Sequence, residues 1–399
     1  LLAKGCAYIA FDTAEELDKY RKEAEANKQT FIYNHATRGG LRNSLALPED
    51  EVQRLLAERT DWTVRFRMPE GRTVQMEDLI RGHIEVDTGT LDDKVLWKRA
   101  DELPTYHLAN IIDDHLMEIS HVIRGEEWLP SLPLHYLLYA AFGWERPEFA
   151  HLPLLLKPVG NGKLSKRDGD KMGFPVFPLR WVAPDGQVSR GYREDGYFPD
   201  AFVNLLAMLG WNPGTEQEIF SLPELVEAFS LEKVGKSGAK FNPEKAKWFN
   251  KEYLRMRSDE ELAAEFMPVL EEKGVAADKD FVKDVVTLIK ERATFVRDFW
   301  DIAWYLFKAP EEYVEKDAAK FWKKENVDMA REALGNTDSA ASMEDFIRSR
   351  EWPMGKVMNC IRLALTGSSN GLGIADIMRF IGREEALARF RRAEERLII

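Results

Sequence analysis

The chain has 399 residues, 45% of them hydrophobic and 31% charged, with a formal net charge of −12. That length allows two or three domains with sizeable cores, and no apolar run is long enough to span a bilayer. The acidic balance argues against a generic nucleic-acid coat but not against a specific RNA partner, since such binding follows local basic patches rather than the sum.

The opening "LLAKGCAYIAFD" lacks the basic start and small-residue cleavage site of a signal peptide. It also lacks a starting methionine and reads as the last turn of a helix, so the natural start is expected upstream of Leu1. "AYIAF" predicts a short strand. "TAEELDKYRKEAEANK" predicts a charged helix in which Thr13 is the cap and Glu16 completes a capping box. "WTVRFRMP", "GRTVQMEDL" and "GHIEVDT" alternate as strands do. Between these elements lies "NHATRGGLRN", expected to be a basic, exposed stretch. Residues 1–104 are therefore an α+β piece.

Residues 105–167 carry the most information. "TYHLANIIDDHLM" has helical periodicity, "EISHVIRG" is a short apolar strand, "LPSLPLHYLLYAAFGW" a helix and "EFAHLPLLL" a buried strand. Strand, helix, strand implies a right-handed crossover with the strands parallel. In such sheets ligands bind beyond the carboxyl ends of the strands. Arg124 ends the first strand and "GKLSKRDGD" (162–170) follows the second, so both are placed on one edge.

Taken alone, the lysine-rich segment is what an ordinary solvated turn contains. It is not a Walker phosphate loop, because Lys157 stands where a glycine is needed and Leu164 where Ser or Thr belongs. "VGKSG" (234–238) comes nearer, but Ser230 replaces its first glycine and a helical stretch precedes it. At the end of a parallel strand, however, Lys163, Lys166 and Arg167 are placed to stabilise charge building on a phosphate, with Ser165 adding a hydroxyl donor.

Further on, residues 173–195 predict a hairpin-like insertion of unassigned role, turning at Asp185–Gly186. "FPDAFVNLLAMLGW", "SLPELVEAFS" and "NPEKAKWFNKEYL" predict helices, and residues 256–399 are nearly all helix. That part opens on a capping box at Ser258 and Glu261, and "DFVKDVVTLIKERATFVRDFWDIAWYLF" is a long amphipathic stretch. Two cysteines far apart, Cys6 and Cys360, suit a reducing compartment, so a cytoplasmic location is expected. Seven scattered histidines give no metal-ligand spacing.

"KLSKR" resembles the KMSKS loop of class I aminoacyl-tRNA synthetases, in the form typical of the glutamyl-tRNA synthetase family. "PTYHLANIIDDHLMEISHVIRGEEWLPSLPLHYLLYAAFGW", "GTLDDKV", "EFAHLPLLLKP", "GYFPDAFVNLLAMLGWNPG" and "KSGAKFNPEKAKWFNKEYL" resemble the same family and stand in its order along the whole chain. The resemblance implies an α/β plus all-α protein: a partial Rossmann-like catalytic domain with an α+β insertion, then a helical anticodon-binding domain of the bacterial type. It divides the chain into an acceptor-binding insertion (1–104), the second catalytic half (105–160), the KMSKS-type loop with a stem-contact region (161–255) and the anticodon domain (256–399).

The roles it implies fall on residues already singled out. Tyr106 and Asn110, four apart on one helix face, line the amino-acid pocket, and Arg124 binds the substrate carboxylate. Ordinary packing for the first two, and a salt bridge from Arg124 to Glu126 or Glu127, are the competing readings. Leu156, Leu164 and Lys166 match the ATP site. Lys163, Ser165, Lys166 and Arg167 match the catalytic loop, and Arg362, Arg383, Arg389 and Arg391 are anticodon candidates. Asp113 and Asp114 are left as surface or capping residues.

The implied reaction joins L-glutamate to tRNA(Glu) through glutamyl-adenylate, with ATP and Mg²⁺, in a monomer away from membranes. No zinc is expected, because Ala10 and Asp12 stand where some members have thiolates. The family's HIGH motif is absent from these residues and is expected upstream of Leu1. A synthetase that also charges tRNA(Gln), a relative that charges a modified nucleotide, and a tRNA-binding fragment are the alternatives. Residues 256–399 argue against the modified-nucleotide relative, which lacks such a domain.

Overall fold

The computed structural model describes residues 1–397, apart from the side chains of Lys166, Arg167 and Asp170. The chain falls into two units. The first comprises residues 1–164, 207–218 and 223–241; the second comprises 165–206, 219–222 and 242–399. Among the described residues no helix is long and apolar enough to cross a membrane.

The first unit begins with β1 (Ala7–Ala10), α1 (Ala14–Ala26), α2 (Glu49–Glu58) and β2 (Thr63–Phe66). There follow β3 (Thr73–Asp78), β4 (Gly82–Asp87), β5 (Val95–Lys98) and β6 (Leu103–Pro104). β1, β2, β5 and β6 form an antiparallel sheet in that order, and β3 pairs with β4 as a hairpin. The predicted capping box on α1 is present: Thr13 Oγ1 accepts from Glu16 N at 3.1 Å, and Glu16 Oε2 accepts from Thr13 N at 2.7 Å. Helix α2 was not expected. Its signal is legible afterwards in Pro48, three acidic residues in the first turn, and Val52 and Leu55 buried at helical spacing.

"NHATRGGLRN" is not the exposed basic stretch that its composition suggests. Asn34, Leu41 and Asn43 are buried, and Arg38 Nε pairs with the buried Asp93 at 3.0 Å. Asp93 also accepts from Tyr8 Oη at 2.6 Å and Met68 N at 2.9 Å. Burial pushes its carboxyl up from the ordinary value, and these donors oppose that push. A carboxylate in that position needs a cation, and the basic segment is strapped down to supply it.

The part that positions the site runs through α3 (Tyr106–Leu116), β7 (His121–Gly125), α4 (Leu132–Phe142), β8 (Glu148–Leu152) and β9 (Leu155–Leu156). β7 and β8 are parallel as expected, and the register sets Arg124 opposite His151. Ile111 of α3, Leu132, Leu134, Leu138 and Tyr139 of α4 and Phe149 of β8 share one core. Packing those apolar faces fixes the two helices against the strand pair.

"EFAHLPLLL", read as one buried strand, is two. Pro153 has no N–H to give to a ladder, and the next amide, Leu154 N, donates to Glu126 Oε1 at 3.0 Å. β9 then pairs in parallel with a different strand, Ala239–Lys240, and is only half-buried.

The second unit contains the short helix Lys166–Met172 and the expected hairpin, Trp181–Val182 paired with Val188–Ser189. Helices Pro199–Met208 and Pro243–Met256 are as predicted, and residues 259–396 are a helical array around a large apolar core. The amphipathic stretch 280–307 is broken into helices Lys279–Ile289 and Asp298–Ala303, each followed by a 3-10 turn. Asp298 Oδ2 accepts the N–H groups of Thr294 (2.9 Å) and Phe295 (2.8 Å), offering the backbone an alternative to a continuous helix.

Candidate functional site

Arg124 is the centre of the arrangement in the first unit. Its Nε donates to His151 Nε2 at 3.2 Å, and its Nη2 lies 3.1 Å from His135 Nδ1 on α4. Arginine has no acceptor, so both facing ring nitrogens are bare and both imidazoles neutral. The His151 proton therefore sits on Nδ1, 2.6 Å from Asp78 Oδ2 at the end of β3. The His135 proton sits on Nε2, 3.2 Å from His107 Nδ1 on α3. One chain of hydrogen bonds thus runs Asp78, His151, Arg124, His135, His107.

For His135 the electrostatics agree with that assignment. Burial, then the Arg124 guanidinium and the rings of His107 and His151, push His135 down to about 3. Burial, then Lys94 and Arg124, lower His107. Burial works to raise Asp78, but hydrogen bonds from His151 and from the N–H groups of Arg81 and Ile80 outweigh it and hold the carboxyl below its ordinary value.

Arg124 Nη1, Asn110 Oδ1 and the Tyr139 hydroxyl are buried here without a partner among the described residues. The first is a donor and the second an acceptor, the pair a bound amino acid would satisfy with its carboxylate and its ammonium. Asp114 is hydrogen-bonded to Asn110 and feels the Arg124 charge; burial nonetheless raises its carboxyl. The Trp128 ring lies 5.8 Å from the Arg124 guanidinium and 4.5 Å from the ring of Tyr106, which is 46% exposed. The structure thus gathers Tyr106, Asn110 and Arg124 in one neighbourhood. It also removes the competing ion pair for Arg124. Glu126 pairs with Arg81 Nη2 at 2.6 Å, and Glu127 pairs with Lys163, whose hydrogen bond lowers the Glu127 carboxyl.

Lys163 sits on a tight turn rather than a loose loop. Leu164 N donates to Leu155 O at 2.7 Å and Lys157 N to Gly162 O at 3.1 Å. The turn needs φ values of +81° at Gly160 and +103° at Gly162, which only glycine adopts freely. Leu156 bridges back to Lys163, and its side chain rests on Gly238, where an added Cβ would lie 2.7 Å from Leu156 Cδ1. That explains "VGKSG": it leads into the strand beside β9, and the next helix begins only at Pro243, beyond that strand. The remaining loop residues belong to the second unit. Ser165 N and Oγ both donate to Asp168 Oδ2, at 2.9 and 2.6 Å. The backbones of Lys166 and Arg167 start the helix Lys166–Met172, and their side chains lie outside the described residues.

Of the arginines in the helical array, Arg389 is not at the surface. It is 3% exposed and donates to Tyr305 O (2.5 Å), Leu365 O (3.0 Å) and Glu385 Oε1 (2.9 Å). Its face of the helix also carries Ala386 and Ala393, both buried, which is why it points inward. Arg383 caps the end of helix Lys324–Asn336 through Gly335 O (2.8 Å) and Thr337 O (2.9 Å). Half-buried Arg362 reaches Asn359 Oδ1 and Ser369 O, and Arg391 is exposed. A cleft of about 720 Å³, lined by Arg292, Trp304, Tyr313, Ser368 and Asn370, lies in the same unit.

The sequence reading passed over Asp78, His107, His135, His151 and Trp128. A faint signal existed: His135 and His151 are lone polar residues inside otherwise apolar runs. Among the described residues no group of three or more His, Cys, Asp or Glu side chains is placed to hold a metal ion.

Comparison with known proteins identifies the family. Residues 1–248 match the family of class I tRNA synthetases (E and Q), catalytic domain, and residues 261–394 match an anticodon binding domain. The glutamate–tRNA ligase of Christiangramia forsetii is 52% identical over 407 residues, covering 100% of this chain and 80% of its own length. That of Flavobacterium johnsoniae is 53% identical over 402 residues, covering 98% and 80%. The crystal structure of a glutamate–tRNA ligase from Elizabethkingia meningosepticum in complex with its amino acid superposes with a TM-score of 0.93. It is 50% identical and covers 100% of this chain and 81% of that one.

Proposed function

We infer the reaction from one premise: the chain belongs to the class I tRNA synthetases of the E and Q type, with an anticodon-binding domain following the catalytic part. It acts as a glutamate–tRNA ligase and uses ATP. A glutamate α-carboxylate oxygen attacks the α-phosphorus of ATP, forming an O–P bond as the bond to the pyrophosphate oxygen breaks. A ribose hydroxyl of the terminal adenosine of tRNA(Glu) then attacks the activated carbonyl. AMP leaves, and the hydroxyl proton is lost.

The observation that supports this reading best is the buried, unpartnered Arg124 Nη1 beside the unpartnered Asn110 Oδ1. Arg124 grips the glutamate side-chain carboxylate, since a guanidinium on the reacting carboxylate would withdraw it from attack. Asn110 accepts from the ammonium, and Tyr106 walls the pocket. Mg²⁺ enters with ATP as part of the substrate. The Leu156 backbone and Leu164 meet the adenine side, while Lys163, Ser165, Lys166 and Arg167 stabilise the charge that builds on the phosphates. The protein acts as a cytoplasmic monomer. Residues 1–104 meet the acceptor end, 105–160 hold glutamate, 161–255 carry the loop and stem contacts, and 256–399 read the anticodon. Splayed bases stack and pair on such a helical surface, with Arg362, Arg383 and Arg391 as candidate contacts and Arg389 holding the fold beneath them.

Charging of tRNA(Glu) with radiolabelled glutamate tests the reading. Arg124→Ala is expected to abolish glutamate-dependent charging at substrate levels that saturate the parent protein. Undiminished charging by that variant would remove Arg124 from the site.

A further inference from the structure

Among the described residues, Arg124 hydrogen-bonds to ring nitrogens and to no carboxylate. The two acidic residues next along the chain are held elsewhere, Glu126 by Arg81 and Glu127 by Lys163. The buried Asp78 is kept one ring away, behind His151. The groups that do touch the guanidinium are the bare nitrogens of two neutral imidazoles, one on α4 and one on β8. His135 and His151 are both fully buried.

We propose that His135 and His151 are positioning residues of the amino-acid site, uncharged acceptors that orient Arg124 without neutralising it. Their ring protons are locked on the far nitrogens by His107 and Asp78, so each presents a lone pair to the guanidinium. The inference rests on the reading that Arg124 grips the substrate carboxylate.

The physical reason is competition. A carboxylate in place of either ring would form a charge-assisted pair with Arg124 and occupy the donors that the substrate needs. With no acceptor at all, the guanidinium would lose two of the bonds that fix its plane, and Nη1 would no longer be aimed. A neutral imidazole avoids both outcomes. It accepts one N–H and leaves the full positive charge, with the Nη1 donors, for the incoming anion.

The test compares near-isosteric pairs in the full-length protein. Asn places an oxygen near the Nδ1 position, so His135→Asn keeps a neutral acceptor, and His135→Asp differs from it only by the charge. Gln reaches the Nε2 position, so His151→Gln and His151→Glu form the second pair on a separate element. KM for glutamate and KM for ATP are read by ATP–pyrophosphate exchange, with folding checked by circular dichroism. The amide variants are expected to keep KM for glutamate within about threefold, and the acidic variants to raise it roughly 30-fold or more, with KM for ATP unchanged. Equal effects of amide and acid in the folded pair, or equal shifts in both KM values, would overturn the proposal. The underlying reading is checked separately: unchanged KM for glutamate in Arg124→Ala would sink the role of Arg124 itself, whatever the histidine variants do.

Discussion

Acid lability is a direct consequence of the neutral His135. Burial and the neighbouring Arg124, His107 and His151 hold its folded value near about 3, against an unfolded value near 6.5. Below about pH 6.5 the unfolded chain therefore binds a proton that the folded chain refuses, and stability falls as pH drops toward 3. Each pH unit in that window is worth about 1.4 kcal/mol, so the drop from pH 7 to pH 4 costs about 3 kcal/mol through this residue alone. His135→Asn removes the titration while keeping an acceptor for Arg124. Urea unfolding followed by near-UV circular dichroism at pH 7, 6, 5 and 4 measures both proteins. The variant is expected to start less stable at pH 7, through lost ring packing, and to lose about 3 kcal/mol less than the parent by pH 4. Parallel stability–pH curves would refute a neutral, buried His135.

Three further outcomes can be measured. Lys166→Ala is expected to lower kcat for pyrophosphate exchange by about 100- to 1000-fold with little change in KM for glutamate, the size expected for one lost transition-state donor. Gly238→Ala forces Leu156 aside and is expected to raise KM for ATP several-fold at a stability cost of about 1–3 kcal/mol; an unchanged KM for ATP would separate Leu156 from the adenine site. Arg389→Met strands Tyr305 O, Leu365 O and Glu385 and is expected to cost about 3 kcal/mol in urea unfolding, whereas a loss below about 0.5 kcal/mol would mean that its buried bonds are not holding the helices.

What was legible in the sequence was what is local or anchored to a motif. The boxes at Thr13 and Ser258 are four-residue patterns, and both close as expected. The parallel pair β7–β8 followed from element order, and with it the placement of Arg124. The histidine chain was not legible, because its members come from β3, α3, β7, α4 and β8 and meet only when those elements pack. Two misreadings had signals in plain view. Pro153 splits the apolar run, and the buried alanines flanking Arg389 on its helix face mark that arginine as inward. The strapping of "NHATRGGLRN" was invisible, since Asp93, the charge it answers, lies in a different segment.

On the proposed function, the site around Arg124 selects glutamate and activates it on ATP. ATP–pyrophosphate exchange, with L-glutamate or L-glutamine and with or without tRNA(Glu), decides whether it does. Exchange is expected to require glutamate, to be strongest with tRNA(Glu) present, and to be lost in Arg124→Ala. Absence of glutamate-dependent exchange in both conditions, or equal exchange with glutamine, would contradict it.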